Sequence, residues 1–309
     1  MIILKNTINY YYNLSIDNLV KSNNDFYFYL NNQEYHFIKC IRPIEELNSL
    51  YMLNIEMKKK NIMIDYIIVN KDNQVYTLVN NIPYVLLKLY YYKDDDLSLR
   101  DIFYIQSATY NITNDKRLYR NDWIQLWSDK IDYYEYQINQ FGKDYPILCD
   151  SLSYYIGLGE NAISYLVNNI NNKSSEVLVV SHKRINENKF DFYNPLNLIL
   201  DNKMRDLAEY IKNNFFYKKI DYNELDSYFS SFVFSKDDYV YLMARLLFPT
   251  YYFDVYDEII NTNGKETKIL PIIDKVYEYE KFLYNVYEYI LYKKKVQIEP
   301  IEWIIKNHF

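Results

Sequence analysis

The pattern of apolar residues changes near residue 93, and this change constrains the fold more than any other feature of the sequence. Before it, apolar segments are short and are separated by pairs of Asn, which is typical of antiparallel strands joined by tight turns. After it, apolar residues recur every three or four positions over long stretches, which is typical of amphipathic helices. A charged run at 93–96 marks the boundary. The sequence therefore predicts an α+β protein with a small antiparallel β-sheet lobe at 1–92 and a larger, mainly helical lobe at 93–309.

In the first lobe we predict the order strand, strand, helix, strand, strand, strand. Asn31 and Asn32 separate two apolar segments and predict a hairpin with a polar turn. Pro43 suits the first turn of the helix that follows. Asn80 and Asn81 mark another turn between strands. The predicted strands are 26–30, 34–40, 65–69, 74–79 and 84–89, and the helix is 45–60.

The second lobe opens with an aromatic and aliphatic stripe at helical spacing. Trp123, Trp127, Ile131, Tyr134 and Ile138 lie three or four residues apart, so they predict one long amphipathic helix. A short strand at 177–180 and an irregular stretch to residue 197 interrupt the helices. Further helices are predicted at 152–170, 205–214, 237–247, 253–261 and 272–293.

Composition excludes several classes of protein. The net charge of −6 disfavours a nucleic-acid partner, because binding to phosphate backbones needs clustered Lys and Arg. Cys40 and Cys149 are too few for a disulfide framework and indicate a reducing, cytoplasmic compartment. No window approaches the roughly 18 apolar residues of a membrane span, and no secretory signal is recognisable. We expect a soluble protein.

Residues 157–162 match the dinucleotide fingerprint G-x-G-x-x-A literally. That fingerprint requires a buried strand before it and a βαβ unit around it. Here the flanking residues continue a helical pattern. We therefore interpret Gly157 and Gly159 as helical glycines that allow close packing of a neighbouring helix.

Other segments carry a resemblance to a known family, in the family's own order. They are Phe37-Ile38-Lys39, Glu45-Glu46, 123–132, Val180-Ser181-His182-Lys183-Arg184, Arg205-Asp206-Leu207-Ala208 and 244–253. Together they resemble the CotS-like, spore-coat-associated branch of the aminoglycoside phosphotransferase and choline kinase-like proteins. That resemblance covers nearly the whole chain and implies a two-lobed, protein-kinase-like fold.

The resemblance also implies roles for particular residues and, for an active enzyme, ATP and Mg²⁺ as cofactors. Lys39 would contact the nucleotide phosphates, and Glu46, with Glu45 as the alternative, would pair with Lys39. His182 would order the catalytic loop by packing and hydrogen bonding. Asp201, at the end of an apolar run, would hold the metal ion or simply cap the helix that follows. Asp206 would anchor the loop backbone.

The sequence departs from the family pattern where phosphoryl transfer requires a carboxylate. Arg184 stands in place of the catalytic Asp, and a guanidinium cannot accept a proton. The metal-binding Asn is not in register, although Asn186 and Asn188 lie nearby. Asp191 is a poorer candidate for the metal-binding Asp than Asp201, because it comes too early in the chain.

Two hypotheses follow from these departures. The first is a catalytically impaired kinase-like protein (a pseudokinase) that binds a partner protein or a small molecule, in spore-coat assembly or regulation if it follows its relatives. The alternative is an active ATP-dependent small-molecule phosphotransferase with migrated catalytic residues, in which Asp201 holds Mg²⁺ and Asp191 or a substrate group replaces the base.

Overall fold

The computed structural model describes residues 2–22, 25–90, 96–110, 112, 115–170, 177–185 and 189–308. The chain divides into two compact units: Met1–Tyr119 with Val179–Asp201, and Arg120–Leu178 with Asn202–Phe309. The position predicted as the boundary, 92/93, lies inside the first unit, which runs on to Tyr119 and takes up Val179–Asp201 after a long excursion of the chain. Residues 93–95 of the predicted charged break lie outside the described residues.

The first unit is built on an antiparallel sheet, and the α+β class is confirmed. Five of its strands lie in the order β1-β2-β3-β6-β4, and β5 pairs with β6. Two further strands, β7 and β8, pair with each other. The elements are α1 Ile2–Tyr12, β1 Val20–Ser22, β2 Asp25–Leu30, β3 Gln33–Lys39, α2 Ile44–Lys59, β4 Tyr66–Ile68, β5 Thr77–Val79, β6 Ile82–Lys88, α3 Leu99–Ala108, β7 Leu178–His182, α6 Lys189–Tyr193 and β8 Leu198–Asn202.

Pairs of Asn form the hairpin turns of this sheet. Asn31 and Asn32 have φ of 52° and 60°, and Asn80 and Asn81 have φ of 50° and 63°. Two successive residues with positive φ make the two-residue turn that matches the twist of an antiparallel hairpin. Asn tolerates this left-handed conformation better than most residues, so a chain with only four Gly can still close these turns. The predicted turns at both places are confirmed.

The two faces of the sheet have different neighbours. Phe37 of β3 joins a core cluster with Ile8 and Tyr12 of α1, so α1 covers one face. Side chains alternate along a strand, and His36 therefore points to the opposite face. The N-terminal helix α1 was not predicted. Only Ile8 and Tyr12 of its eleven residues are buried, so α1 carries no sustained apolar stripe.

The second unit is helical and confirms the pattern predicted beyond the charged break. The stripe of Trp123, Trp127, Ile131 and Tyr134 lies on one helix and is buried. Trp127 stacks on Phe248, with ring centroids 4.4 Å apart. The elements are α4 Trp123–Phe141, α5 Pro146–Asn169, α7 Met204–Tyr217, α8 Tyr222–Ser231, α9 Lys236–Leu247, α10 Thr250–Thr262, α11 Leu270–Ile273, α12 Val276–Glu288 and α13 Glu302–His308.

Both glycines of the literal fingerprint lie inside α5, as the helical interpretation predicted. They differ in their surroundings. A Cβ added to Gly159 would lie 2.7 Å from Cδ1 of Ile131, whereas one added to Gly157 would meet nothing within 4 Å. Close packing therefore explains Gly159 and does not explain Gly157. Within the described residues, no helix combines the length and apolar character that crossing a membrane requires.

Candidate functional site

The segment that follows β7 is held in place by His182. The imidazole of His182 is buried and stacks on the ring of Phe192, with centroids 4.0 Å apart. Its Nε2 donates a hydrogen bond of 2.8 Å to the carbonyl oxygen of Phe192, since a carbonyl can only accept. The geometry of His182 is that of a side chain that orders the loop.

Arg184 lies on the surface of this loop, and Asn197 holds the backbone beside it. The Oδ1 of Asn197 accepts from the Arg184 N–H at 3.1 Å, and its Nδ2 donates to the Arg184 carbonyl at 2.7 Å. The same Nδ2 donates to the Asp191 carbonyl at 3.1 Å. Asn197 was not identified from the sequence, because nothing in the spacing shows that one amide closes a loop of thirteen residues.

Part of the stretch predicted as irregular is the short helix α6, and α6 is firmly attached to the first unit. The Tyr193 hydroxyl donates to Oδ1 of Asp101 at 2.6 Å, and Lys189 lies 3.8 Å from the other oxygen of Asp101. The ring of Phe190 contacts His36 of β3, with centroids 4.8 Å apart. The segment after His182 thus packs on the sheet face to which His36 points. Asn186 and Asn188 lie outside the described residues.

Lys39 lies on the other side of the sheet from α6. It is paired with Tyr84 in the sheet and shares a face with Phe37, whose ring stacks on that of Tyr84 at 4.9 Å. His36, on the opposite face, contacts Phe190. The ammonium group of Lys39 is exposed and forms no ion pair with a described residue. The Lys39 N–H donates to Oδ1 of Asp25 at 3.3 Å, and the role of Lys39 in phosphate binding stays a prediction.

The predicted pair of Lys39 and Glu46 is wrong. The partner of Glu46 is Arg42, whose Nη2 lies 2.7 Å from Oε2 of Glu46, and both side chains are buried. Glu45, the alternative partner, is exposed. The i, i+4 spacing of Arg42 and Glu46 was the available signal, but it spans the start of α2 and is common on ordinary helices.

Asp201 lies in β8, within the same two-stranded sheet as His182, and is fully buried. Asp206 is also buried, in the first turn of α7. No group of three or more His, Cys, Asp and Glu side chains converges among the described residues. Asp201 remains a predicted metal ligand.

A further buried carboxyl, that of Asp65, was not identified from the sequence. Burial raises the pKa of Asp65 to about 8, although the Tyr90 N–H, which donates to Oδ1 at 2.8 Å, acts in the opposite direction. Its Oδ2 has no hydrogen-bond partner among the described residues. At neutral pH this carboxyl is mostly protonated and joins β4 to the end of β6. It is a structural group in the interior of the first unit.

The second unit contains a buried ionic network that connects two of the segments resembling the family. Glu209 of α7 accepts from Nε of Arg245 at 3.0 Å and from the Thr250 hydroxyl at 2.9 Å. The ammonium group of Lys212 lies 2.8 Å from Glu209 and donates to Thr250 and to the carbonyls of Arg245 and Phe248. The network connects α7 to α9 and to the start of α10.

Comparison with known proteins agrees with this architecture. The family model described as "Spore coat putative kinase YutH" matches residues 5–286. The endospore coat-associated protein YutH of Bacillus subtilis (strain 168) is 26% identical over 209 residues. That alignment covers 60% of this chain and 62% of the relative, so the chain matches less than two thirds of the relative's length.

Solved structures of phosphotransferases share the fold. An aminoglycoside phosphotransferase from Alicyclobacillus acidocaldarius superposes with a TM-score of 0.62 at 11% identity, covering 90% of this chain and 94% of that one. A spectinomycin phosphotransferase in complex with ADP and spectinomycin gives 0.60 at 11% identity, covering 98% and 97%. At such identities the likeness shows the kinase-like fold alone.

Proposed function

The chain belongs to the YutH family of spore coat putative kinases, and we propose that it acts in the spore coat by binding a partner, without transferring phosphate. The partner is a protein or a small molecule. The relative in Bacillus subtilis is named for its association with the endospore coat, and this name supports the setting. The kinase-like fold supplies the scaffold, and function must be argued from the residues it carries.

The observation that carries the proposal is the state of the loop after His182. A phosphotransferase places a carboxylate there, near the hydroxyl that attacks the phosphate. This chain has Arg184, which is permanently charged and cannot act as a base. The loop around it is fixed by Asn197 and by α6, and the attachments of α6 to Asp101 and His36 hold it in that position. These described contacts and the presence of Arg184 support a role without phosphoryl transfer.

Thermal unfolding with and without Mg²⁺-ATP tests whether the chain binds the nucleotide and metal ion that phosphoryl transfer requires. A ligand at about 100 times its dissociation constant stabilises the folded protein by roughly 2.7 kcal/mol, which gives a measurable shift in Tm. We expect no Mg²⁺-dependent shift in the native chain. We expect none in Arg184→Asp either, because restoring one carboxylate leaves the loop fixed by Asn197.

The alternative, an active small-molecule phosphotransferase, makes the opposite prediction. It requires Asp201 to hold the metal ion and Asp191 or a substrate group to replace the base. The buried position of Asp201 beside the strand that carries His182 favours it. A Mg²⁺-dependent shift accompanied by release of ADP, with both lost in Asp201→Asn and Lys39→Ala but kept in the exposed-residue control Lys21→Ala, would overturn our proposal.

The role in the coat is tested separately, in a sporulating host that expresses the chain. Coat extracts of purified spores are probed for the native protein, Asp201→Asn and Arg184→Ala. A protein that acts by binding is recovered in the coat at equal levels for all three. Its absence from coat extracts contradicts the coat setting, and loss of only Asp201→Asn, with the variant still folded, contradicts the non-catalytic role.

A further inference from the structure

A groove of about 600 Å³ lies in the second unit between the end of α5 and the segment 299–306. Contacts between α5 and the segment 299–306 hold the two sides of the groove in place. The Tyr165 hydroxyl donates to the Glu299 carbonyl at 2.9 Å, and the ring of Trp303 packs edge-on against Tyr154, with centroids 5.7 Å apart. Its volume lies within the range of pockets for small organic ligands. The groove shares no residue with the loop after His182.

The α5 side of the groove presents hydrogen-bond acceptors. The amide nitrogens of Asn161 and Asn169 donate to carbonyls one turn earlier, at 2.8 and 2.9 Å, and the amide nitrogen of Asn168 donates to the Ser164 hydroxyl. Each side chain thereby uses a donor on its own helix. The three Oδ1 atoms have no partner among the described residues. An amide oxygen without a partner can accept a hydrogen bond from a ligand.

The opposite side adds negative charge and an aromatic ring. Glu299 and Glu302 both line the groove, together with Trp303. Glu302 is paired with Lys306 at 3.0 Å, whereas Glu299 is paired with the half-exposed Lys236 at 4.0 Å. Glu299 thus has a weak partner, and the indole lies on the same segment. Acceptors, a carboxylate and an indole together favour a cation over an anion or an apolar ligand.

We propose that this groove binds an alkylammonium group, as carried by an aliphatic diamine or by a lysine side chain. An ammonium group has three donors and no acceptor, which matches the amide oxygens of α5 and the carboxylate of Glu299 that line the groove. The alkyl chain would lie along Trp303 and Ile301. The pairing of Lys306 with Glu302 shows the same chemistry at the edge of the groove, where Lys306 competes with a ligand for Glu302.

Titration of the full chain with 1,5-diaminopentane at low ionic strength, followed by calorimetry, tests the proposal. We expect saturable binding with a dissociation constant on the order of 1 mM, as suits a ligand with few atoms. Glu299→Gln should weaken binding about tenfold, because it removes a charge-assisted hydrogen bond. Lys306→Ala should tighten binding about threefold, because it frees Glu302. Glu258→Gln, which removes an exposed carboxylate of α10, should change nothing.

Further titrations identify the source of the ammonium group and exclude other ligands. A blocked tripeptide Gly-Lys-Gly that binds with the same dependence on Glu299 identifies lysine side chains as a source, and binding of the diamine alone identifies free amines. No saturable binding to either probe overturns the proposal. So does binding of sorbitol or Ca²⁺ with equal strength and the same dependence on Glu299, and so does a diamine affinity that Glu299→Gln leaves unchanged.

Discussion

Asp65 shows how one buried side chain can set the pH dependence of the first unit. The pKa of this carboxyl is raised by burial from 3.8 to about 8. Between those values the folded protein keeps a proton that the unfolded chain has released. The free energy of unfolding therefore falls as the pH rises from about 4 to about 8, with a slope that approaches about 1.4 kcal/mol per pH unit.

Replacing Asp65 by Asn should remove this slope. The amide oxygen can still accept from the Tyr90 N–H, and no charge has to be buried at high pH. We expect Asp65→Asn to be more stable than the native chain at pH 8 and to differ less from it at pH 5. Urea unfolding across that range is the measurement. The matched control is Asp72→Asn, an exposed carboxyl of the same unit. An unchanged slope in Asp65→Asn contradicts the assignment.

Single residues differ in how far the sequence reveals them. The replacement of the catalytic Asp by Arg184 stays a prediction, made from a loop motif that is contiguous in the chain. The pairing of Arg42 with Glu46 and the clamp made by Asn197 could not be predicted, since each depends on burial or on a contact across thirteen residues. Lys39 was assigned by resemblance, and only the alternation of β3 against its neighbours shows which sheet face it shares.

At the scale of elements, α5 carries two glycines that predict opposite effects of the same substitution. Alanine is favoured over Gly in a helix interior by about 1 kcal/mol. Gly157 has open space, so Gly157→Ala should raise the free energy of unfolding by about that amount. Gly159 lies against Ile131 of α4, and the added methyl must displace that side chain, which costs about 1–3 kcal/mol. Gly159→Ala should therefore be neutral or destabilising. The free energies of unfolding of Gly157→Ala and Gly159→Ala are measured by chemical denaturation. Equal stabilisation by the two substitutions contradicts the packing argument.

The ionic network around Glu209 should be the main polar interaction that stabilises the packing of α7 against α9 and α10. Burial alone would raise the pKa of Glu209, but the charges of Lys212 and Arg245 outweigh it and hold that pKa well below its usual value. Glu209→Gln leaves two buried cations without their counter-charge, and removal of one member of a buried pair costs about 3–5 kcal/mol. We expect a loss of that order by urea unfolding.

The same network predicts the response to acid. A carboxyl with a lowered pKa contributes stability above its unfolded value of 4.5, and this stability is lost as the pH falls below it. The native chain should therefore lose stability below about pH 4.5 more steeply than Glu209→Gln. Glu258→Gln breaks an ion pair with Lys268 in which both side chains are about half exposed, and it should cost less than about 1 kcal/mol. Equal costs for the two Gln variants contradict the importance of burial.

Most of the larger elements could be predicted because their apolar period is sustained. The stripe on α4 extends over four turns, and the Asn pairs mark the hairpins unambiguously in a chain with few glycines. The helix α6 has five residues, too few for a period to be measured, and it lay in a stretch predicted as irregular. The ten-residue helix α8 was also missed, because its buried residues, Tyr228 and Phe229, are adjacent in sequence and form no stripe.

At the scale of the whole molecule, the first unit is made of two segments that are far apart in the sequence. The change of pattern near residue 93 separates the sheet of β1 to β6 from a mostly helical remainder, and the α+β class follows from it. However, 179–201 belong with the first unit although 59 residues of the second unit, Arg120–Leu178, precede them. The Val180 N–H donates to the Thr109 hydroxyl, and Tyr119 forms a parallel bridge with Leu200. The spacing of apolar residues along the sequence does not show that 179–201 pack in the first unit.

The return of the chain to the first unit predicts how its fragments behave. A fragment of residues 1–92 lacks α6, so the Asp65 N–H loses its partner, the Tyr193 carbonyl, and His36 loses Phe190. We expect it to show no cooperative unfolding and poorly dispersed amide resonances. Residues 1–119 joined by a Gly-Ser linker to 179–201 restore those contacts and should fold, with an amide spectrum that resembles the same residues in the full chain. If 1–92 alone melts as cooperatively as the linked fragment, the boundary at 92/93 is the true one and the returning segment is an accessory to a sheet that is already stable.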